Sequence, residues 1–165
     1  MRYNKIKKND VANGHGINVS VYFQGCPHHC YNCFNDETWD FEGGKEYTED
    51  TKQEIIDSLN INGVYRDLSI LGGEPLCPEN VDGVKDLCKT VKELYPEKKI
   101  WLWTGYLIEN FNEKQFEVLQ YLTTIIDGPF IDSKKNLKLT LRGSENQRVL
   151  SSEDAIKIYN NSHKL

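Results

Sequence analysis

The chain has 165 residues, 38% of them hydrophobic and 27% charged, with a formal net charge of −5. That is length enough for one domain with a real hydrophobic core, and the acidic balance gives no footprint for nucleic acid. No stretch approaches the roughly 20 apolar residues of a membrane span, and Met1 to Lys8 carry positive charge without the apolar run of a secretory signal. The expectation is a single cytoplasmic domain over 1–165, with no nucleic-acid or membrane partner.

In chain order, residues 10–16 read as a loop with two glycines. Residues 17–23, Ile-Asn-Val-Ser-Val-Tyr-Phe, alternate and are rich in β-branched and aromatic side chains, which predicts a strand. The strand runs into Gly25-Cys26-Pro27-His28-His29-Cys30-Tyr31-Asn32-Cys33-Phe34-Asn35, which holds three of the five cysteines in the spacing C-x3-C-x2-C. Thiolates this close together suit a soft metal or an iron–sulfur cluster. A 4Fe-4S cluster takes four thiolates, one per iron, so a loop that offers three leaves one iron open to a small molecule. Because His28 and His29 lie in the same loop, a structural zinc site with three cysteines and one histidine stays open as an alternative, although zinc sites usually show paired C-x2-C halves. The odd number of cysteines and their crowding argue against a disulfide framework.

Beyond the loop, Asp36, Glu37, Asp40 and Glu42 read as a solvated face around Trp39 and Phe41. Thr48, followed by Glu49 and Asp50, predicts a helix start. Ile55, Ile56 and Leu59 give that helix its apolar stripe, and Asn62-Gly63 end it. Residues 68–71 predict a short buried strand, with Gly72-Gly73-Glu74-Pro75 directly after it. Val81, Val84, Leu87, Cys88, Val91 and Leu94 recur at helical spacing, which predicts a helix over 79–95 stopped by Pro96. Residues 99–104 read as a strand leading into Gly105-Tyr106, and a shorter helix holds Phe116 and Leu119. Residues 123–126 form a further strand closed by Asp127-Gly128-Pro129, and Ser151 or Ser152 caps a last helix with Ala155, Ile156 and Tyr159. Alternating strands and helices imply an α/β fold of parallel units. A closed eight-stranded barrel needs about 250 residues, so the expected architecture is an open partial barrel of roughly five or six units.

The ends of parallel strands converge on one face, where ligands bind. Glycines at a strand end, as at Gly72 and Gly73, let another molecule approach the backbone, while the carbonyls and Glu74 can accept hydrogen bonds from an ammonium group. A plain turn before Pro75 is the competing reading. Thr104 can bond a ribose or methionine group, and Asp127 a hydroxyl or a cation. Trp101 and Trp103 read as packing residues, one facing inward and the other under a helix. Cys88 reads as core, Cys77 as a bystander, and His28 and His29 as loop surface, which leaves a single cluster site.

The cysteine loop with its following aromatic and Asn resembles that of the radical S-adenosylmethionine (SAM) enzymes. An ordered set of segments narrows the likeness: Asn13-Gly14-x-Gly16, the cysteine loop through Asn35, Thr38-Trp39, Gly72-Gly73-Glu74-Pro75-Leu76, Trp101-x-Trp103-Thr104-Gly105-Tyr106, Asp127-Gly128 and Arg142-Gly143-Ser144-x-Asn146-Gln147-Arg148. Over nearly the whole chain it is similar to the anaerobic ribonucleotide reductase activating proteins, a family of radical SAM glycyl-radical-enzyme activases. One departure is Asn18, where many relatives carry Arg. The resemblance implies that Cys26, Cys30 and Cys33 hold one 4Fe-4S cluster. It implies that SAM binds the open iron and contacts Asn32, Cys33, Phe34, Gly72, Gly73, Glu74, Thr104 and Asp127. A low-potential donor such as a flavodoxin would reduce the cluster, and reductive cleavage of SAM would give a radical that takes a hydrogen from a glycine of a large reductase subunit. No acid–base residue is implied. Arg142 and Arg148 would face SAM or the partner, or pair internally. Two other readings remain: activation of a different glycyl-radical enzyme such as pyruvate formate-lyase, and a non-catalytic zinc or iron–sulfur module.

Overall fold

Alternation along the central strands decides which face of the sheet takes the helices. In the computed structural model, which describes residues 1–164, the elements in chain order are β1 (Arg2–Asp10), β2 (Asn18–Phe23), β3 (Lys45–Glu46), α1 (Glu49–Ser58), β4 (Asp67–Gly72), α2 (Val81–Leu94), β5 (Ile100–Trp103), α3 (Glu113–Val118), β6 (Thr124–Asp127), β7 (Arg148–Ser151) and α4 (Ser152–Ser162). The described strands form one mixed sheet in the order β3-β1-β2-β4-β5-β6-β7. β2, β4, β5 and β6 are parallel neighbours, whereas β1, β3 and β7 pair antiparallel.

Along the parallel strands the order never reverses. Right-handed crossovers therefore return every helix to the same face. On that face Val19, Val21, Phe23, Leu68, Ile70, Ile100, Leu102 and Ile125 form one core with Ile55 and Leu59, with Val84, Leu87, Cys88 and Val91 of α2, and with Leu119 and Ala155. Val19, Val21 and Phe23 are fully buried, and each such side chain stabilises the fold by about 1.5–3 kcal/mol. The helix starts follow the sequence. Thr48 and Thr51 make a reciprocal capping box at α1, and Ser151 accepts from the Asp154 N–H at α4.

The other face is more polar. It carries Asn18, Ser20, Tyr22, Ser69, Leu71, Trp101 and Trp103, the residues that alternate with the core set. Ser69 Oγ donates to the Asn13 carbonyl at 2.7 Å, and Asn13 Nδ2 donates to the Tyr22 hydroxyl at 2.9 Å, so the loop before β2 covers part of this face. Trp103 Nε1 donates to the Leu141 carbonyl at 2.6 Å, so the segment after β6 covers another part.

Two expectations are corrected here. Trp101 and Trp103 share the helix-free face, because residues two apart on a strand must point the same way. The parallel part has four strands rather than five or six units, and the rest of the sheet is antiparallel. β1 was not expected because Arg2-Tyr-Asn-Lys-Ile-Lys-Lys-Asn-Asp offers only Tyr3 and Ile6 to a core. Charge of that kind is how a strand near a sheet edge avoids pairing with other chains.

Candidate metal centre

The cysteine loop leaves β2 through Gly25, whose φ of +99° and closeness to the Phe41 ring leave no room for a side chain. Both feet of the loop are pinned by backbone bonds. Gly25 N–H donates to the Thr38 carbonyl at 2.7 Å, Cys26 N–H to Trp39 at 3.2 Å, and Glu74 N–H to the Gly25 carbonyl at 2.8 Å. Between the feet the chain turns through His29 and Asn32, both in the left-handed region at φ 48° and 56°.

Cys26, Cys30 and Cys33 line one wall of a cavity of about 430 Å³ at the C-terminal ends of the parallel strands. Gly72, Gly73, Trp103, Thr104 and Gly105 line the facing strand ends, and Phe130, Leu141 and Arg142 contribute from the segment after β6. The Cys33 sulfur accepts the Asn35 N–H at 3.4 Å. Burial pushes the Cys26 thiol up to about 11, against the pull of the nearby His28 and His29 main chain. Burial also raises Cys30. These groups are thiols at neutral pH until a metal displaces their protons. Three cysteines lining one cavity fit the donor set of an iron–sulfur cluster.

Glu74 is fully buried and stands behind this wall. Its carboxylate accepts from Thr104 Oγ1 at 2.7 Å, Gly105 N–H at 2.7 Å, Leu76 N–H at 2.9 Å and His28 Nε2 at 2.7 Å. An ionised carboxylate only accepts, so His28 carries a proton on Nε2. The sequence suggested an ammonium ligand for this group, and in the fold its oxygens meet four protein donors. Asp127 is likewise fully buried. It accepts from Ile108 N–H at 3.1 Å and Arg148 Nε at 2.9 Å, and Arg148 Nη2 pairs with its other oxygen. Arg148 also bonds Glu109 at 2.7 Å, so it pairs internally. Arg142 donates to the Gln147 carbonyl at 2.6 Å and is the one permanently charged side chain among the described cavity residues.

Of the residues named from sequence, Cys26, Cys30, Cys33, Phe34, Gly72, Gly73 and Thr104 line the cavity. Glu74 and Asp127 lie beneath its surface, and Asn32 sits on the exposed turn outside it. The two glycines are also required by the packing of the fold. A Cβ on Gly73 would stand 2.4 Å from the Gly25 carbonyl oxygen, and one on Gly72 would stand 2.4 Å from that of Phe23. They let β4 press its end against the foot of the cysteine loop. His28 is not loop surface either, since its ring is held by Glu74 and lies edge-on to Tyr106 at 4.6 Å. Its position between two cysteines was the only signal of this in the sequence. His29 stacks on Trp39 at 4.7 Å, and Asp36, Glu37, Asp40 and Glu42 are solvated as expected. Cys77 and Cys88 are fully buried and line no part of the cavity. Among the described residues, no three His, Cys, Asp or Glu side chains gather around a point that one metal ion could share.

A cysteine loop at the exit of the first parallel strand, beside a strand-end cavity, is the arrangement of an iron–sulfur protein of the α/β class. A family model described as a 4Fe-4S single cluster domain matches residues 12–150. Over 158 residues the chain is 40% identical to an anaerobic ribonucleoside-triphosphate reductase-activating protein of Enterobacteria phage T4, a match covering 94% of this chain and 97% of that one. Proteins of the same name from Vibrio cholerae and Escherichia coli are 37% and 35% identical over 150 residues, covering 90% of this chain and 97% of each of theirs. The chain belongs to the family of anaerobic ribonucleoside-triphosphate reductase-activating proteins. No described helix is long and apolar enough to cross a membrane.

Proposed function

We propose that this protein activates an anaerobic ribonucleoside-triphosphate reductase by generating a glycyl radical on it, through reductive cleavage of SAM at a 4Fe-4S cluster held by Cys26, Cys30 and Cys33. The observation that carries this reading is a juxtaposition: the three cysteine sulfurs share one cavity of about 430 Å³ with the strand-end backbone of Gly72 and Gly73. Cavities of a few hundred Å³ with mixed aromatic and polar walls are the ordinary size for a cofactor-like ligand. Bound there, the cluster and SAM supply the one-electron chemistry.

The chain's own residues bind, orient and shield. Cys26, Cys30 and Cys33 would hold three irons of the cluster and leave the fourth open to the amino and carboxylate groups of SAM. Carbonyls at Gly72 and Gly73 would accept from the N–H groups of the SAM amino group, and Arg142 would face its carboxylate. Thr104, Phe34, Trp103 and Phe130 flank the rest of the ligand and exclude water. Asn32 fixes the loop turn, while Glu74 and Asp127 hold the wall from behind. No general acid or base is needed. The unreversed strand order, with helices on one face only, supports reading the sheet as an open partial barrel, whose helices form an outer layer. A large reductase subunit docks at the open rim, where Tyr31 is 75% and Leu137 82% exposed. A low-potential donor such as a flavodoxin reduces the cluster, and the protein works in the cytoplasm.

The test is to mix anaerobically reduced protein, SAM and purified reductase, then record an electron paramagnetic resonance (EPR) spectrum. A glycyl doublet on the reductase that requires SAM is the expected result. A doublet only on pyruvate formate-lyase keeps the reaction and changes the partner. SAM cleavage with no radical on either enzyme ends the activase reading, and stoichiometric zinc without iron in anaerobic preparations ends the cluster reading.

A further inference from the structure

The cysteine loop is pinned at its feet, but no backbone-to-backbone hydrogen bond leaves residues 27–34 among the described residues. The middle of the loop, with two of the three cysteines, depends on other tethers. Phe34 leans on Phe130 at 4.9 Å, an apolar contact on the rim. His29 stacks on Trp39 at 4.7 Å at the loop's outer side. The tether that reaches the interior is His28 Nε2 to Glu74 Oε1 at 2.7 Å, onto a carboxylate with no exposed surface. That carboxylate also takes Thr104 Oγ1, Gly105 N–H and Leu76 N–H, which belong to the two strand-end turns after β5 and β4. Three loops meet at one buried charge. The fold makes room for the contact: a Cβ on Gly105 would stand 2.6 Å from His28 Cδ2 and 2.8 Å from Nε2.

We propose that His28 is a positioning residue of the metal centre. Through buried Glu74 it locks the middle of the cysteine loop to the strand-end turns, and so sets the spacing between the three sulfurs and the wall that receives SAM. This inference rests on the SAM reading above. A charge-assisted bond to a buried acceptor is among the stronger tethers available to a loop. Removing it frees the loop and leaves a buried carboxylate one donor short. The cysteines still capture iron, because none is altered. A loop that must be ordered on binding loses affinity for the ligand it helps to hold.

The experiment compares parent, His28→Ala, His28→Gln and His29→Ala, each reconstituted anaerobically. Iron and sulfide are counted, and SAM affinity is read from the change that SAM makes in the EPR spectrum of the reduced cluster. All four are expected to hold about four irons per chain. His28→Ala is expected to bind SAM about tenfold more weakly. His28→Gln, which keeps a donor, should recover to within about threefold of the parent, and His29→Ala should match the parent. Unchanged SAM affinity in His28→Ala overturns the proposal. So does a His28→Gln variant as weak as His28→Ala, or loss of the cluster in His28→Ala, which would make the residue part of loop folding alone. A parent protein whose EPR spectrum ignores SAM would instead overturn the SAM reading.

Discussion

Gly73 offers a sharp test of how the site is built. If it is glycine so that a ligand can approach, Gly73→Ala alters binding and little else. If it is glycine so that β4 can meet the cysteine loop, the same change damages the protein before any ligand arrives. The distances favour the second. The added Cβ would lie 2.4 Å from the Gly25 carbonyl oxygen and 2.9 Å from that of Thr38, against ordinary contacts of about 3.5–4.0 Å. Both oxygens are main-chain atoms already engaged, with the Glu74 and Gly25 N–H groups, so neither can swing aside as a side-chain end would. Overpacking of this kind costs about 1–3 kcal/mol, and weakening those two bonds adds about 0.5–1.5 kcal/mol for each. At about 3 kcal/mol in total, the melting temperature of a domain this size falls by about 6–12 °C. The assay is thermal unfolding of the metal-free protein by circular dichroism, followed by iron content after reconstitution, which should also drop. Gly16→Ala is the control. A Cβ there meets nothing within 4 Å and is strained only by its φ of +71°, so it costs about 1–2 kcal/mol and should spare the cluster. A Gly73→Ala protein that melts with the parent, loads full iron and fails only with SAM would refute this reasoning and restore the ligand-approach explanation.

Replacing Cys26, Cys30 or Cys33 with Ala should abolish iron loading, while Cys77→Ala and Cys88→Ala should keep about four irons per chain by colorimetric assay; iron retained in any of the first three would remove that residue from the ligand set. Burial holds the Cys88 thiol up at about 12 from an ordinary 9.0, so the folded chain binds this proton more tightly than the unfolded one. The stability it contributes is intact below pH 9 and fades as pH climbs toward 12. The urea midpoint of the metal-free protein should therefore fall above pH 9, and Cys88→Ala should flatten that fall by an amount on the order of 2 kcal/mol at pH 11; parallel pH profiles would remove Cys88 as a source.

What was legible in the sequence was local. The strands carrying Val19, Ile70, Leu102 and Ile125, the α2 stripe of Val84, Leu87, Cys88 and Val91, and the Thr48 cap all follow from periodicity or capping chemistry. The cysteine loop was legible because its spacing is itself the signal. β1 and the two-residue β3 were not, since a charged strand near an edge and a short pairing lack an apolar pattern. The roles of His28, Glu74 and Asp127 were hidden for another reason. Glu74 and Asp127 looked like free acceptors, and in the fold their donors come from residues 46 positions before Glu74 and 21 after Asp127. Nothing in local sequence announces which buried donor will arrive. The paired tryptophans were misjudged by neglect of the strand period, which was available without any structure.

The order in which the cavity walls appear along the chain has a consequence for how the protein is made. Cys26, Cys30 and Cys33 leave the ribosome ahead of the residues that hold their loop. The partners that hold their loop arrive much later: Gly73 and Glu74, then Thr104 and Gly105, and finally Phe130 and Arg142. Chains fold from the N-terminus as they are synthesised, so the thiols wait without a finished cage until those partners are made. Iron delivered then would meet three thiols on an eight-residue stretch whose neighbours are not yet fixed. The chamber is complete only when the segment carrying Phe130 and Arg142 has closed over it, so a finished site exists only after that segment is made.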